Sequence, residues 1–182
     1  VIGNNLYVGG GFAQTFGSAT TGLNRIARYN TLTNTWSALT DNGLDDTYVA
    51  ALAVIGNDLY VGGTFTQSFG RATIGLNNIA KYDTLTNTWS ALTDNGLSFG
   101  QVLALAVIGN NLYVGGWVFT QTYGGATTGL NSIARYNTLT NTWSALADNG
   151  LNYIVEAFAV IGNDLYVGGI FTQTFGGATT GL

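Results

Sequence analysis

The 182-residue chain contains no cysteine, histidine, proline or methionine, and only 8% of its residues are charged. Without cysteine there are no disulfides, thiolate nucleophiles or thiolate metal sites. Without histidine there are no Ser-His or Cys-His dyads, no imidazole zinc sites and no haem ligation by histidine. Basic residues are scarce as well. Five Lys and Arg against nine Asp and Glu leave a net charge of −4, with no basic stripe to neutralise phosphates. Nucleic-acid binding and attachment to anionic membrane surfaces are therefore not expected. The longest apolar runs, such as residues 102–108, fall far short of the 18 or more residues a membrane helix needs. No secretory leader is visible at the N-terminus. Lacking an initiator methionine, the chain reads as a processed product or a segment of something longer.

What is present is a repeat. Val-Ile-Gly-Asn begins at Val1, Val54 and Val107, and Val160 falls at the same spacing of 53 residues. Between residues 1–53 and 54–106 there are 14 differences, leaving 39 identities. The expected units are 1–53, 54–106, 107–159 and a partial 160–182. The third unit gains one residue at Trp117-Val118 and loses one between Trp143 and Val160, so the two changes cancel in the period. The inserted residue predicts a β-bulge at that point, which would give Trp117 an individual role.

Each unit reads as four short strands. In the third, residues 102–108 form an apolar run expected to be buried on both faces. Gly109-Asn110-Asn111 suits a tight turn, because glycine and asparagine tolerate positive φ. Residues 112–116 form the second strand, closing on a Gly-Gly pair that permits close backbone approach. A Gly-, Thr- and Gln-rich connection over 120–130 leads to strands at 131–136 and 142–146. No segment has a helical apolar period. A four-stranded blade has two apolar faces that only neighbouring blades can cover, so repetition near 50 residues predicts an all-β propeller of four-stranded antiparallel blades, about three and a half of them here.

Leu59-Tyr60-Val61-Gly62-Gly63, followed by Tyr82 and Trp89 with six residues between them, resembles the kelch repeat, as do Tyr29 to Trp36 and Tyr136 to Trp143. Tyr82-Asp83-Thr-Leu-Thr-Asn87-Thr-Trp89 is similar to the kelch turn, with Thr84 and Leu85 where an acidic residue and proline are common. The pattern is also similar to a bacterial surface-protein variant of the repeat. The resemblance implies a propeller that serves as a protein-binding scaffold, a lectin-like module or part of an adhesin. The copper oxidase chemistry of some kelch-type folds needs histidine and a cysteine-linked tyrosine, so it does not carry over.

The Gly-Gly pairs at 9–10, 62–63, 115–116 and 168–169 are read as strand geometry, because no lysine or helix follows that would cradle phosphate. Trp36, Trp89 and Trp143 are expected to pack blade against blade. Arg28, Lys81 and Arg135 occupy equivalent positions, as do Asp41, Asp94 and Asp148. They are expected to form ion pairs, with rings of like charge reading an anion as the sharper alternative. Asp41-Asn42-Gly43 and its equivalents suit turns better than calcium loops. Gln14, Gln67, Gln121 and Gln173 recur beside Phe16, Phe69, Tyr123 and Phe175. Together with Trp117, these glutamines are the candidate ligand-binding residues. The units differ most at 45–48, 98–101 and 152–154, which are expected near the propeller axis.

No catalytic residue, metal site or cofactor is expected. The leading functional reading is a non-enzymatic binding or structural scaffold module, extracellular or at the cell surface. A carbohydrate-binding propeller with repeated sites is the alternative, and an enzyme a distant third, with Glu156 the only glutamate. The chain is not expected to close a ring alone. It would need the rest of a longer chain or a second copy, a two-fold ring requiring an even number of blades. A protein or glycan is the expected ligand.

Overall fold

The computed structural model describes residues 1–182. Blade one comprises β1 (Asn5–Gly9), β2 (Ile26–Asn30) and β3 (Thr35–Ala38). Blade two comprises β4 (Tyr48–Ile55), β5 (Asp58–Thr64), β6 (Ile79–Asp83) and β7 (Thr88–Ala91). Blade three comprises β8 (Gln101–Ile108), β9 (Asn111–Trp117), β10 (Ile133–Asn137) and β11 (Thr142–Ala145). Blade four is the pair β12 (Val155–Ile161) and β13 (Asp164–Gly169). Every blade is an antiparallel meander, its strands paired in chain order. The fold is all-β, an incomplete propeller of four-stranded blades. The first strands β4, β8 and β12 lie side by side as the inner edge of the array.

Strand periodicity assigns each side chain to one neighbour. In blade two the row Leu59, Tyr82, Trp89 faces blade one, and the row Tyr60, Lys81, Ser90 faces blade three. The apolar core therefore lies between blades. One cluster joins Tyr7, Ile26, Leu39 and Leu44 to Leu59, Val61, Tyr82 and Trp89, and the next repeats it one blade along. A blade that docks on nothing keeps its apolar rows in water, so neighbouring units stabilise one another.

The Gly-Gly pair divides two tasks. A Cβ on Gly62 would overlap Val102 Cγ1 of the next blade, and Gly9 stands in the same relation to Val49. A Cβ on Gly63 or Gly116 would overlap a carbonyl of its own blade's first strand, at Tyr48 or Gln101. That strand is bent there. The register shifts between Val49 and Ala51, between Val102 and Ala104, and between Val155 and Ala157. The bulge is thus a property of the first strand of each of these blades and not of the Trp117-Val118 insertion. The inserted residue lies at the end of β9, where Trp117 still pairs with Gln101 and Val118 leaves the ladder at φ 68°.

Three strand expectations shift. The third strand of blade three starts at Ile133 because Asn131 and Ser132 have positive φ, 26° and 61°. The fourth ends at Ala145, since Leu146 turns into a short 3-10 segment. The inner strand β8 is half-buried over much of its length, with Val102 and Ala104 its buried positions.

Candidate functional site

The recurring spacing of tyrosine and tryptophan within each unit builds the blade junction. Trp89 Nε1 donates to the Thr40 carbonyl at 3.0 Å, and Trp143 Nε1 donates to the Thr93 carbonyl at 3.0 Å. Thr40 Oγ1 and Thr93 Oγ1 in return donate to the Asn87 and Asn141 carbonyls at 2.6 and 2.7 Å. Tyr82 packs on Trp89 with ring centroids 4.7 Å apart. Trp89 and Trp143 are therefore buried junction residues.

The expected pairing of Arg28, Lys81 and Arg135 with Asp41, Asp94 and Asp148 does not form. Lys81 pairs instead with Asp58 at 3.3 Å. Arg28 and Arg135 each donate from Nε to a serine on the adjacent strand, Ser37 and Ser144, at 3.0 Å. Asp41 accepts from Ser68 Oγ and from the Ala72 amide, and Asp94 from Thr122 Oγ1 and the Ala126 amide. Each of these carboxylates thus holds the connection between second and third strands of the next blade. The Asp-Asn-Gly segment supplies the needed geometry, with φ of 60°, 59° and 85° at residues 41–43. Asp45 is equally occupied, its Oδ1 accepting from the Thr66 and Gln67 amides at 2.9 and 3.1 Å.

The candidate glutamines close small hairpins within these connections, through backbone bridges of Gln67 with Ile74, Gln121 with Thr128 and Gln173 with Thr180. The Gln14 amide donates to Ser18 Oγ at 2.7 Å inside its own loop. The aromatics beside them, Phe16, Phe69, Tyr123 and Phe175, are exposed. Tyr48 OH donates to Gln101 Oε1 at 2.8 Å, so two of the divergent positions meet at the ends of adjacent inner strands.

Trp117 is where the repeat departs furthest from its own pattern. It is 41% exposed, its indole N–H makes no hydrogen bond within the chain, and with Val118, Tyr153 and Phe175 it lines a cavity of about 240 Å³ between blades three and four. Asn152 takes the place of Asp45, its Oδ1 accepting from the Thr172 and Gln173 amides at 3.0 and 3.3 Å. Ile154 takes the place of Tyr48 and Gln101, its carbonyl standing against Gly169 as theirs stand against Gly63 and Gly116. Tyr153 alone therefore spans where the earlier units have Asp46-Thr47 and Phe99-Gly100. The residue gained and the residue lost meet at one cavity. Val118, a β-branched residue held at φ 68°, adds local strain of about 1–3 kcal/mol to the same wall. None of the four glutamines lines it.

Blades of four antiparallel strands, docked through apolar faces at a fixed period, define a β-propeller-type repeat protein. The Kelch motif family model matches residues 103–150, which covers most of blade three. The same unit recurs along the chain, so the other blades are similar in pattern to the one that matches the motif. In fold the chain is similar to the crystal structure of the computationally designed Ika4 protein, at 16% identity and a TM-score of 0.51, over 81% of this chain and 76% of that one. Among curated proteins, none matches the chain. The kelch motif marks a protein-binding or scaffold propeller module, a class that is generally non-catalytic. No helix is long and apolar enough to cross a membrane.

Proposed function

We propose that the chain is a non-catalytic binding module whose ligand seat is the Trp117 cavity, and that the seat takes an apolar or aromatic side chain from a protein partner. The observation that carries this reading is the convergence of the insertion and the deletion on one cavity. Its chemistry favours a protein side chain over a sugar. Trp117, Phe119, Tyr153 and Phe175 offer carbon surface. The nearby amides are committed, Asn131 Nδ2 donating to the Asn149 carbonyl at 2.6 Å and Asn152 Nδ2 to Thr172 Oγ1 at 3.1 Å. The Trp117 indole N–H and the Thr120, Ser132 and Tyr153 hydroxyls are the polar side-chain groups left on a wall that is mostly carbon. Peptides selected from a displayed library on the wild-type protein should lose at least about tenfold in affinity for Trp117→Ala, the scale of one anchoring aromatic. Selection that returns no binder, or binders indifferent to Trp117→Ala, would refute the seat. Glycan-array binding that survives the substitution would favour the carbohydrate-binding alternative.

The outer faces of the array support a second element of the proposal. Leu6 and Trp36 on blade one, and Val160, Ile161 and Tyr166 on blade four, are exposed, whereas Leu59, Leu112, Trp89 and Trp143 at the first two positions and Val54, Ile55 and Tyr60 of blade two at the others pack at junctions. We infer that further kelch-type blades cover them, from a longer polypeptide or from a second copy. Light scattering should find the 182-residue chain associating. A monodisperse monomer at 19.0 kDa would contradict self-association of this chain. The sparsely charged surface rich in threonine and asparagine supports an extracellular or cell-surface location, and labelling of unpermeabilised cells with an antibody tests it.

A further inference from the structure

Two further clefts, built from residues that the Trp117 cavity does not use, carry the same groups twice. One of about 440 Å³ lies between blades one and two and is lined by Tyr7, Arg28, Asp41, Tyr82 and Asn87. The other, about 480 Å³, lies between blades two and three, with Tyr60, Lys81, Asp94, Tyr136 and Asn141 at equivalent positions. Strand register creates them. Tyr7 is paired with Arg28 and Tyr60 with Lys81, so a phenol and a cation from one blade face a tyrosine and an asparagine from the next.

Both clefts present unpaired donors. Tyr82 OH donates to Asn87 Oδ1 at 3.2 Å and Tyr136 OH to Asn141 Oδ1 at 3.1 Å, leaving each asparagine's amide N–H groups to the cleft. Tyr60 and Tyr7 are only 3% and 8% exposed, and neither hydroxyl has an acceptor within the chain. Burial pushes both phenols above their ordinary value, while on Tyr7 the charge of Arg28 and its hydrogen bond to the phenol oxygen pull the other way; both stay protonated and able to donate. Arg28 has no carboxylate within ion-pair distance. Asp41 and Asp94 are the carboxylates lining the clefts, and both are engaged by the next blade's connection. A cation, a phenol O–H at the cleft surface and amide N–H groups without acceptors are complementary to an oxyanion.

We propose that the clefts are a pair of equivalent sites for a small oxyanion-bearing molecule such as a sugar carboxylate, with the oxyanion seated between Arg28 and Tyr7 in the first. The second site is the weaker, because Lys81 already faces Asp58 at 3.3 Å. Blades one and three carry Asn5 and Asn111 where blade two has Asp58.

The test is a chemical-shift titration with D-glucuronate, with D-glucose as neutral control, at constant ionic strength. Amides of residues 40–42 should saturate with glucuronate, and those of 93–95 should respond about tenfold more weakly. Arg28→Gln should remove the first response and leave the second. Asp58→Asn, which copies the neighbouring blades, should free Lys81 and tighten the second site about tenfold, a gain that a purely structural role for Lys81 does not give. Glucose shifting the same amides equally, no saturable shift with glucuronate, or an Asp58→Asn variant whose second site is unmoved would each overturn the proposal.

Discussion

Gly116→Ala should destabilise the protein by about 3 kcal/mol, seen as a lower denaturant midpoint. The added Cβ would land on the Gln101 carbonyl oxygen, and both atoms belong to paired backbone, so no side-chain rotation relieves the overlap. The inner strand would have to straighten its bulge or separate from β9, and Val102 beside it anchors the junction core. Gly109→Ala is the control. Nothing lies within reach of its Cβ, and the φ of 58° costs about 1–2 kcal/mol by itself. Gly62→Ala should fall between these in character, because its collision is with the Val102 side chain of the next blade. Equal losses at Gly109 and Gly116 would show that close strand approach is not what the Gly-Gly pair provides.

Trp89→Ala should cost about 3–5 kcal/mol, from lost apolar burial, the lost tilted pair with Tyr82 and the Thr40 carbonyl left without its indole donor. Trp89→Phe keeps part of the ring but removes the indole donor and leaves a small cavity, and should cost about 1–3 kcal/mol. Trp36→Ala should have a much smaller effect. Trp36 holds the same strand position and packs on Tyr29 at 4.9 Å, yet it is 38% exposed and no blade lies against it. Comparing the two by chemical denaturation separates what the residue contributes inside a blade from what it contributes between blades. Matched losses at the two positions would place the stabilisation within the blade.

The blades were legible because one pattern was written repeatedly: an apolar run, a glycine pair, a tyrosine and a tryptophan at fixed intervals. The junction role of Trp89 and Trp143 followed from their equivalence. The role of Asp41 and Asp94 did not, because each finds its partners about one half-unit ahead, in the connection of the following blade. The recurrence of a hydroxyl at Ser68 and Thr122, at near-constant distance from those aspartates, was the available signal. Scarce charge made pairing with Arg28 or Lys81 look necessary, but backbone amides and hydroxyls satisfy the carboxylates instead. Trp117 stood out as the only aromatic at its position, whereas Tyr153 did not. The deletion it spans is visible only as a missing residue before Val160, and nothing in the linear order places it beside β9. The glutamines were prominent because they repeat, and their repetition reflects the hairpins that their backbones close.

The most direct test of a ligand seat at the blade three and four junction is the response of the tryptophan indole N–H resonances to p-cresol. The Trp117 resonance should exchange quickly with solvent and shift saturably. Those of Trp89 and Trp143, bonded to the Thr40 and Thr93 carbonyls, should exchange slowly and stay in place. A Trp117 resonance that does not move at high p-cresol, or indole resonances that all move together, would contradict it.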